Sequence, residues 1–303
     1  MSDLLARIHA DEVLVGDGAL GTLLLARGLP AGAPPEIVNL ERPETLVEIA
    51  RLYLEAGADI VQTNTFGASP LKLAAYRLAE RAAEVNCAAV EAARRAITAM
   101  AKAAPAGRRA YVAGSCGPSG RLLKPFGDTA PEELSESFRQ QIRALADAGV
   151  DAISIETMTD LTEAVLAVRA AKEVVPALPV FAAMTFDETP RGFFTIMGVD
   201  IPRAATGLRE AGADVVGSNC GNGIERMLAI ARAFAAQRAR PLIIQANAGL
   251  PRIEDGRAVY PETPEFMAAR ANELMAAGAR VIGGCCGTTP EHIRALRRAV
   301  DAR

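Results

Sequence analysis

Three cysteines, Cys220, Cys285 and Cys286, stand where sulfur could bind a metal. Two are adjacent in Gly283-Gly284-Cys285-Cys286-Gly287, where flanking glycines free the backbone to aim both sulfurs. Three thiolates can hold Zn²⁺ at ~2.3 Å and leave a fourth position open, which is the habit of catalytic rather than structural zinc. The adjacent pair also reads as two small buried residues or as a vicinal disulfide. Cys87 lies in the helical run 82–93 and reads as a helix-face core thiol, while Cys116 ends a β-like run and reads as a small buried residue. Two acids follow β-like runs in the same way. Asp17 opens Asp17-Gly18-Ala19-Leu20-Gly21-Thr22 and equally reads as a simple strand-to-helix turn; Glu156 sits in Ile155-Glu156-Thr157. A carboxylate buried at such a place is costly unless it meets a cation or several donors. Together the two could grip an ammonium group. With only His9, read as solvated, and His292, read as part of a helix cap after Thr289-Pro290-Glu291, no Ser/His/Asp or Cys/His dyad is available.

Short runs rich in Val and Ile must position these groups: 13–17, 58–64, 110–117, 152–157, 180–186, 214–220, 242–248 and 280–286. They alternate with helical stretches such as 43–56, 71–100, 131–148 and 160–175. Eight strand-then-helix units in 303 residues predict an α/β fold, a single (β/α)₈ barrel spanning 1–303. A doubly wound sheet is the alternative, but no G-x-G-x-x-G follows the first strand. A weak repeat supports the barrel. Glu55-Ala56-Gly57-Ala58-Asp59, Asp147-Ala148-Gly149-Val150-Asp151, Glu210-Ala211-Gly212-Ala213-Asp214 and Ala276-Ala277-Gly278-Ala279-Arg280 precede strands two, four, six and eight. Each glycine is placed to end a helix in the left-handed conformation. The polar and sulfur groups then fall at the strand ends that build a barrel's active site. None of those ends carries the lysine a Schiff-base aldolase needs.

Composition narrows the function classes. Lys plus Arg is 33 against 36 Asp plus Glu, so no basic excess draws nucleic acid or an anionic membrane. No apolar run reaches the ~18 residues of a membrane span. The first residues lack a basic, apolar secretory leader, so a cytoplasmic protein is expected. Five cysteines are too few and odd for a disulfide scaffold. With no Trp, four Tyr and nine Phe, stacking platforms and aromatic cages look poorly supplied.

The motifs resemble the zinc-dependent homocysteine S-methyltransferase family, closest to the homocysteine-binding module of cobalamin-dependent methionine synthase. The carriers are Asp17-Gly18-Ala19-Leu20-Gly21-Thr22, Gln62-Thr63-Asn64-Thr65-Phe66, Gly217-Ser218-Asn219-Cys220 and Gly283-Gly284-Cys285-Cys286-Gly287-Thr288. They span nearly the whole chain in the family's order. The resemblance implies a (β/α)₈ barrel in which Cys220, Cys285 and Cys286 bind zinc and the homocysteine thiol takes the fourth site. It further implies that Asp17 and Glu156 hold the substrate ammonium, that Thr63 and Ser115 line its pocket, and that Asn219 orients the site.

Gly67 and Thr157 stand where the betaine branch has aromatics. Asn247-Ala248-Gly249-Leu250-Pro251 instead resembles the cobalamin branch, which implies that Asn247 fills zinc's fourth position before substrate arrives. The expected donor is a methylcorrinoid such as methylcobalamin, carried by a corrinoid- or folate-binding protein or domain rather than by this chain alone. S-methylmethionine or a betaine is the alternative donor, and a non-enzymatic zinc-thiolate module the alternative class. The full synthase continues into folate- and cobalamin-binding regions, so the chain is expected to be either one module of such a protein or an enzyme served by a separate carrier.

Overall fold

The computed structural model describes residues 2–30, 32–101, 109–254 and 257–302. Eight parallel strands form one sheet: β1 (Leu14–Val15), β2 (Ile60–Gln62), β3 (Tyr111–Cys116), β4 (Ala152–Met158), β5 (Val180–Met184), β6 (Val215–Asn219), β7 (Leu242–Ala246) and β8 (Ala279–Gly284). From β2 to β8 each strand pairs with the next in sequence, and β1 pairs with β8. A parallel bridge from Gly16 to Ile60 joins β1 to β2 and closes the barrel. All eight expected strands are present, shorter at most ends because the terminal residues turn into loops.

The repeats have a physical purpose beyond ending helices. Gly57, Gly149, Gly212 and Gly278 take φ of 108°, 91°, 106° and 102°, the left-handed region that side chains with a Cβ avoid. After the first three of these glycines, the aspartate two residues on reaches the preceding strand. Asp59 accepts from the Val15 N–H at 2.9 Å, Asp151 from Val112 at 2.7 Å and Asp214 from Val180 at 2.8 Å. Each thus satisfies a backbone donor in an odd-numbered strand.

Inside the barrel, Leu14, Ile60, Tyr111, Phe181, Val215, Ile243 and Val281 form one apolar plug. A helix not expected from the sequence, Asp3–His9, closes its lower end with Leu4 and Ile8. Ser2 caps that helix, its hydroxyl accepting from the Leu5 N–H at 3.3 Å. The larger core lies between the sheet and the outer helices. The helix Pro131–Asp147 shows the pattern, burying Leu134, Phe138, Ile142 and Leu145 at helical spacing. Among the described residues, no helix is long and apolar enough to cross a membrane.

The stretch 71–100 is not one helix. A short helix Pro70–Leu73, capped by Ser69, runs into single 3₁₀ turns at Ala74–Tyr76 and Ala79–Arg81 before the long helix Ala82–Ala101. Arg77, at φ 58°, makes the break. The stretch is rich in Ala, Leu, Glu and Arg and holds no Gly or Pro, so propensity alone runs the elements together. Tertiary contacts win: Asn86 donates to the Ala68 carbonyl, and Asn39 to Val85 and Asn64 carbonyls. The break places Lys72 and Tyr76 at the barrel mouth. Two further hairpins, Asp187–Thr189 with Gly192–Phe194 and Arg252–Glu254 with Arg257–Val259, rise after β5 and β7.

Candidate active site

A cavity of about 440 Å³ opens at the C-terminal ends of the strands. Asp17, Thr63, Ser115, Glu156, Cys220, Cys285 and Cys286 all line it. The sulfurs of Cys220, Cys285 and Cys286 lie within 4.8 Å of one another, with Cys220 and Cys286 3.8 Å apart.

Local backbone sets that cluster. Cys220, just past the end of β6, takes φ 59°, an uncommon conformation for a residue with a Cβ. Its N–H donates to the Gln245 carbonyl at 3.1 Å. On the other side, the Cys285 N–H donates to Ala246 O at 2.7 Å, and the Ala248 N–H to Cys286 O at 3.0 Å. The turn after the pair closes with the Thr288 hydroxyl on Cys285 O at 2.7 Å. A Cβ on Gly284 would come within 2.2 Å of that Thr288 hydroxyl, so glycine is required there. Hydrogen bonds from the Cys220 and Cys285 thiols push Cys286 below the usual thiol range. A cluster that already favours thiolate on one sulfur suits a soft divalent cation.

Asn247 follows β7 between the two cysteine segments. It is buried, and its Oδ1 has no hydrogen-bond partner among the described residues. A buried amide oxygen without a partner is costly and fits an acceptor waiting for a cation or a donor. The three-sulfur set and this oxygen are chemically compatible with zinc.

The two carboxylates share a single support. Asp17 Oδ2 accepts from the Gln62 backbone N–H at 2.7 Å, and the Gln62 side-chain amide donates to Glu156 Oε1 at 3.0 Å. Ser115 donates its hydroxyl to the same Glu156 oxygen, and Asn219 Nδ2 donates to Oε2 at 3.3 Å. Thr63, buried, bonds Thr65 at 2.6 Å and accepts from the Ser115 N–H at 3.1 Å. Asp17 Oδ1 is buried and has no hydrogen-bond partner among the described residues. Asn219 also braces Thr157, accepting its N–H at 2.7 Å and donating to its hydroxyl at 2.8 Å. Thr157 needs that brace, because a β-branched residue at φ 59° is strained.

Burial pushes both carboxyls up to about 7; for Asp17 the Gln62 N–H opposes the shift, and for Glu156 the Ser115 and Gln62 donors do. Because both folded values lie above the unfolded ~4, the empty site is most favourable below pH ~4 and loses that stabilisation as pH rises through about 7. A bound ammonium reverses the preference. Binding of 2-aminobutyrate, an α-amino acid without a thiol, should therefore release about one proton per site near pH 7 and almost none at pH 9. Calorimetry in buffers of different ionisation enthalpy reads this directly; no release at pH 7 would show that the carboxyls do not meet the ammonium.

Cys116 is fully buried between barrel and helices, with its thiol raised by burial, as expected for a packing residue. Cys87 departs from expectation. It lies on the helix Ala82–Ala101 but is exposed, its sulfur 3.7 Å from Ala144 O on the next helix, because Val85, Ala89 and Val90 take the buried face. His9 is exposed. His292 completes a capping box with Thr289 and is itself buried, its Nε2 2.9 Å from Glu262 O. The mouth is also less poor in aromatics than the sequence suggests, since Phe66 and Tyr76 both line it. Gln62 has no role in the sequence reading, although it stands inside a motif; only its two-sided contact reveals one.

The homocysteine S-methyltransferase family model matches residues 14–300. The chain is 35% identical over 306 residues to methionine synthase of Mycobacterium tuberculosis, covering 97% of this chain and 25% of that protein. It is also 35% identical over 312 residues to the Mycobacterium leprae methionine synthase, again 25% of that protein. It therefore spans about a quarter of the length of these curated relatives. Among solved structures, the metallated form of the Escherichia coli homocysteine methyltransferase MmuM superposes with a TM-score of 0.81 at 27% identity, covering 97% of this chain and 98% of that one. With the motifs, the barrel and the match over nearly its whole length in agreement, the chain belongs to the homocysteine S-methyltransferase family.

Proposed function

We propose that the chain moves a methyl group to the thiol of homocysteine, giving methionine, with zinc held by Cys220, Cys285 and Cys286. The observation that carries this reading is the meeting of three mutually close sulfurs and two buried carboxyls in one cavity. A thiol cluster alone suits structural metal; the carboxyls beside it suit a zwitterionic amino acid. A free thiol has a pKa of ~8.5 and is mostly protonated at neutral pH. When bound, zinc supplies the deprotonation and keeps the sulfur nucleophilic.

The chain's own residues do the remaining work. Asp17 Oδ1 and Glu156 take the ammonium, while Ser115, Gln62 and Asn219 keep Glu156 aimed. Thr63 and Ser115 wall the pocket. Asn247 Oδ1, without a hydrogen-bond partner among the described residues, serves as a resting ligand that yields to substrate. The sulfur then bonds the methyl carbon as that carbon's bond to the donor breaks, and the thiol proton goes to solvent.

The donor we favour is a methylcorrinoid on another chain or domain, because the methionine synthases similar to this chain are about four times its length. One observation favours a second donor class. The E. coli homocysteine methyltransferase matches this chain over nearly its whole length, and Phe66 and Tyr76 line the mouth, aromatic residues of the kind that attract a sulfonium or ammonium. The test is zinc-loaded protein with homocysteine and, separately, methylcobalamin, S-methylmethionine or glycine betaine, reading methionine. Methionine from methylcobalamin alone is the expected result; none from any donor overturns the proposed activity.

A further inference from the structure

The layer of the barrel beneath the carboxyls is built from small residues and two glutamines. Gly16, Ala113, Ala183, Gly217 and Gly283 leave room that Gln62 on β2 and Gln245 on β7 fill. A Cβ on Gly16 would stand 3.8 Å from the Gln245 amide nitrogen, so the side chain crosses toward β1. Gln245 Nε2 donates to Gln62 Oε1 at 3.2 Å, and Gln62 Nε2 donates to Ser154 Oγ at 3.2 Å and Glu156 Oε1 at 3.0 Å. Gln245 is buried, 3% exposed.

An amide can present either its oxygen or its nitrogen, and the two ends differ in kind. Turned over, Gln62 would set its oxygen against the Glu156 carboxyl and its NH₂ against that of Gln245. Acceptor would face acceptor and donor would face donor. In the observed order each contact has one of each. Once ionised, Glu156 requires nitrogen from Gln62, and the Gln62 oxygen then requires a donor of its own. Gln245 is that donor.

We propose that Gln245 is a positioning residue that acts through Gln62, holding its amide in the orientation that donates to Glu156 and so shaping the amino-acid grip from across the barrel. This rests on the reading that Glu156 meets the homocysteine ammonium. The backbone of Gln245 meanwhile accepts from Cys220, so one residue of β7 serves both halves of the site.

A double-variant cycle on the zinc-loaded full chain tests it, with homocysteine affinity measured by calorimetry. Gln62→Met should bind about 10-fold more weakly and Gln245→Met about 3- to 10-fold more weakly, both from loss of a buried hydrogen bond. The double variant should bind no more weakly than Gln62→Met alone, since Gln245 has nothing left to orient. In turnover the loss should fall on KM more than on kcat. Zinc content should stay at the wild-type level in all three. If Gln245→Met does not fold, Gln245→Leu serves the same comparison. Unchanged affinity in the Gln245 variant, or losses that multiply in the double variant while wild type binds normally, would overturn the relay alone. Failure of wild type to bind homocysteine would instead overturn the functional reading, and the relay with it.

Discussion

Zinc-loaded protein should hold about one ion per chain, and Cys220→Ser or Cys285→Ser should lose most of it. Both sulfurs belong to the three-sulfur cluster, and a serine hydroxyl stays protonated where a thiolate would bind. Altering a residue that only supports a metal ligand costs roughly 10- to 100-fold in affinity, so losing a ligand should cost at least as much. Cys87→Ser and Cys116→Ala are the controls. Cys87 lies exposed on an outer helix and Cys116 is sealed in the core, and neither joins the cluster. Elemental analysis after dialysis measures the content; full zinc in both ligand variants would sink the three-thiolate assignment. Zinc-edge X-ray absorption of substrate-free protein extends the test to Asn247. Three sulfurs and one light atom are expected, with the light atom retained as water in Asn247→Ala. Four sulfurs without substrate would mean a closed structural site.

The second large effect is expected at Glu156. Glu156→Gln keeps the shape but removes the charge, and turns an NH₂ toward donors now satisfied by carboxylate oxygens: Ser115 and Gln62 on one oxygen, Asn219 on the other. Charge-assisted hydrogen bonds contribute ~1.5–3 kcal/mol, so homocysteine affinity should fall by roughly 10- to 150-fold. Zinc content should stay whole, because Glu156 is not among the three ligands. Titration calorimetry with metal analysis on the same sample separates the two quantities. Unchanged affinity would mean that the ammonium sits elsewhere and that Glu156 is there for Ser115 and Gln62.

Where the sequence was misleading, the cause is specific. The run 71–100 contains no internal glycine or proline, so nothing local announces its break at Arg77; the break follows from Asn39 and Asn86 reaching carbonyls of other segments. Cys87 sits in an alanine-rich helix whose two small faces look alike in sequence, and only packing against the neighbouring helix decides which is buried. Gln62 reads as one polar residue ending an apolar run. Its worth depends on β1, β4 and β7 arriving around it.

What the sequence determined by itself is local or chemical in kind. Eight Val- and Ile-rich runs, glycines that require φ above 90° at the helix ends, and sulfur or carboxyl groups at the strand ends specify a barrel with reactive groups on one face. Side-chain alternation along a strand and the softness of sulfur need no knowledge of neighbours. Tertiary structure alone decided which partners those groups meet. Gln62 and Gln245 are 183 positions apart, and Cys220 and Cys286 are 66 apart, yet each pair is in contact. Barrel closure and strand register set those distances, and register arises from pairing between strands, so no local pattern encodes it. The burial that raises Asp17 and Glu156 is likewise a property of the closed mouth, since the same carboxyls on the unfolded chain remain in water.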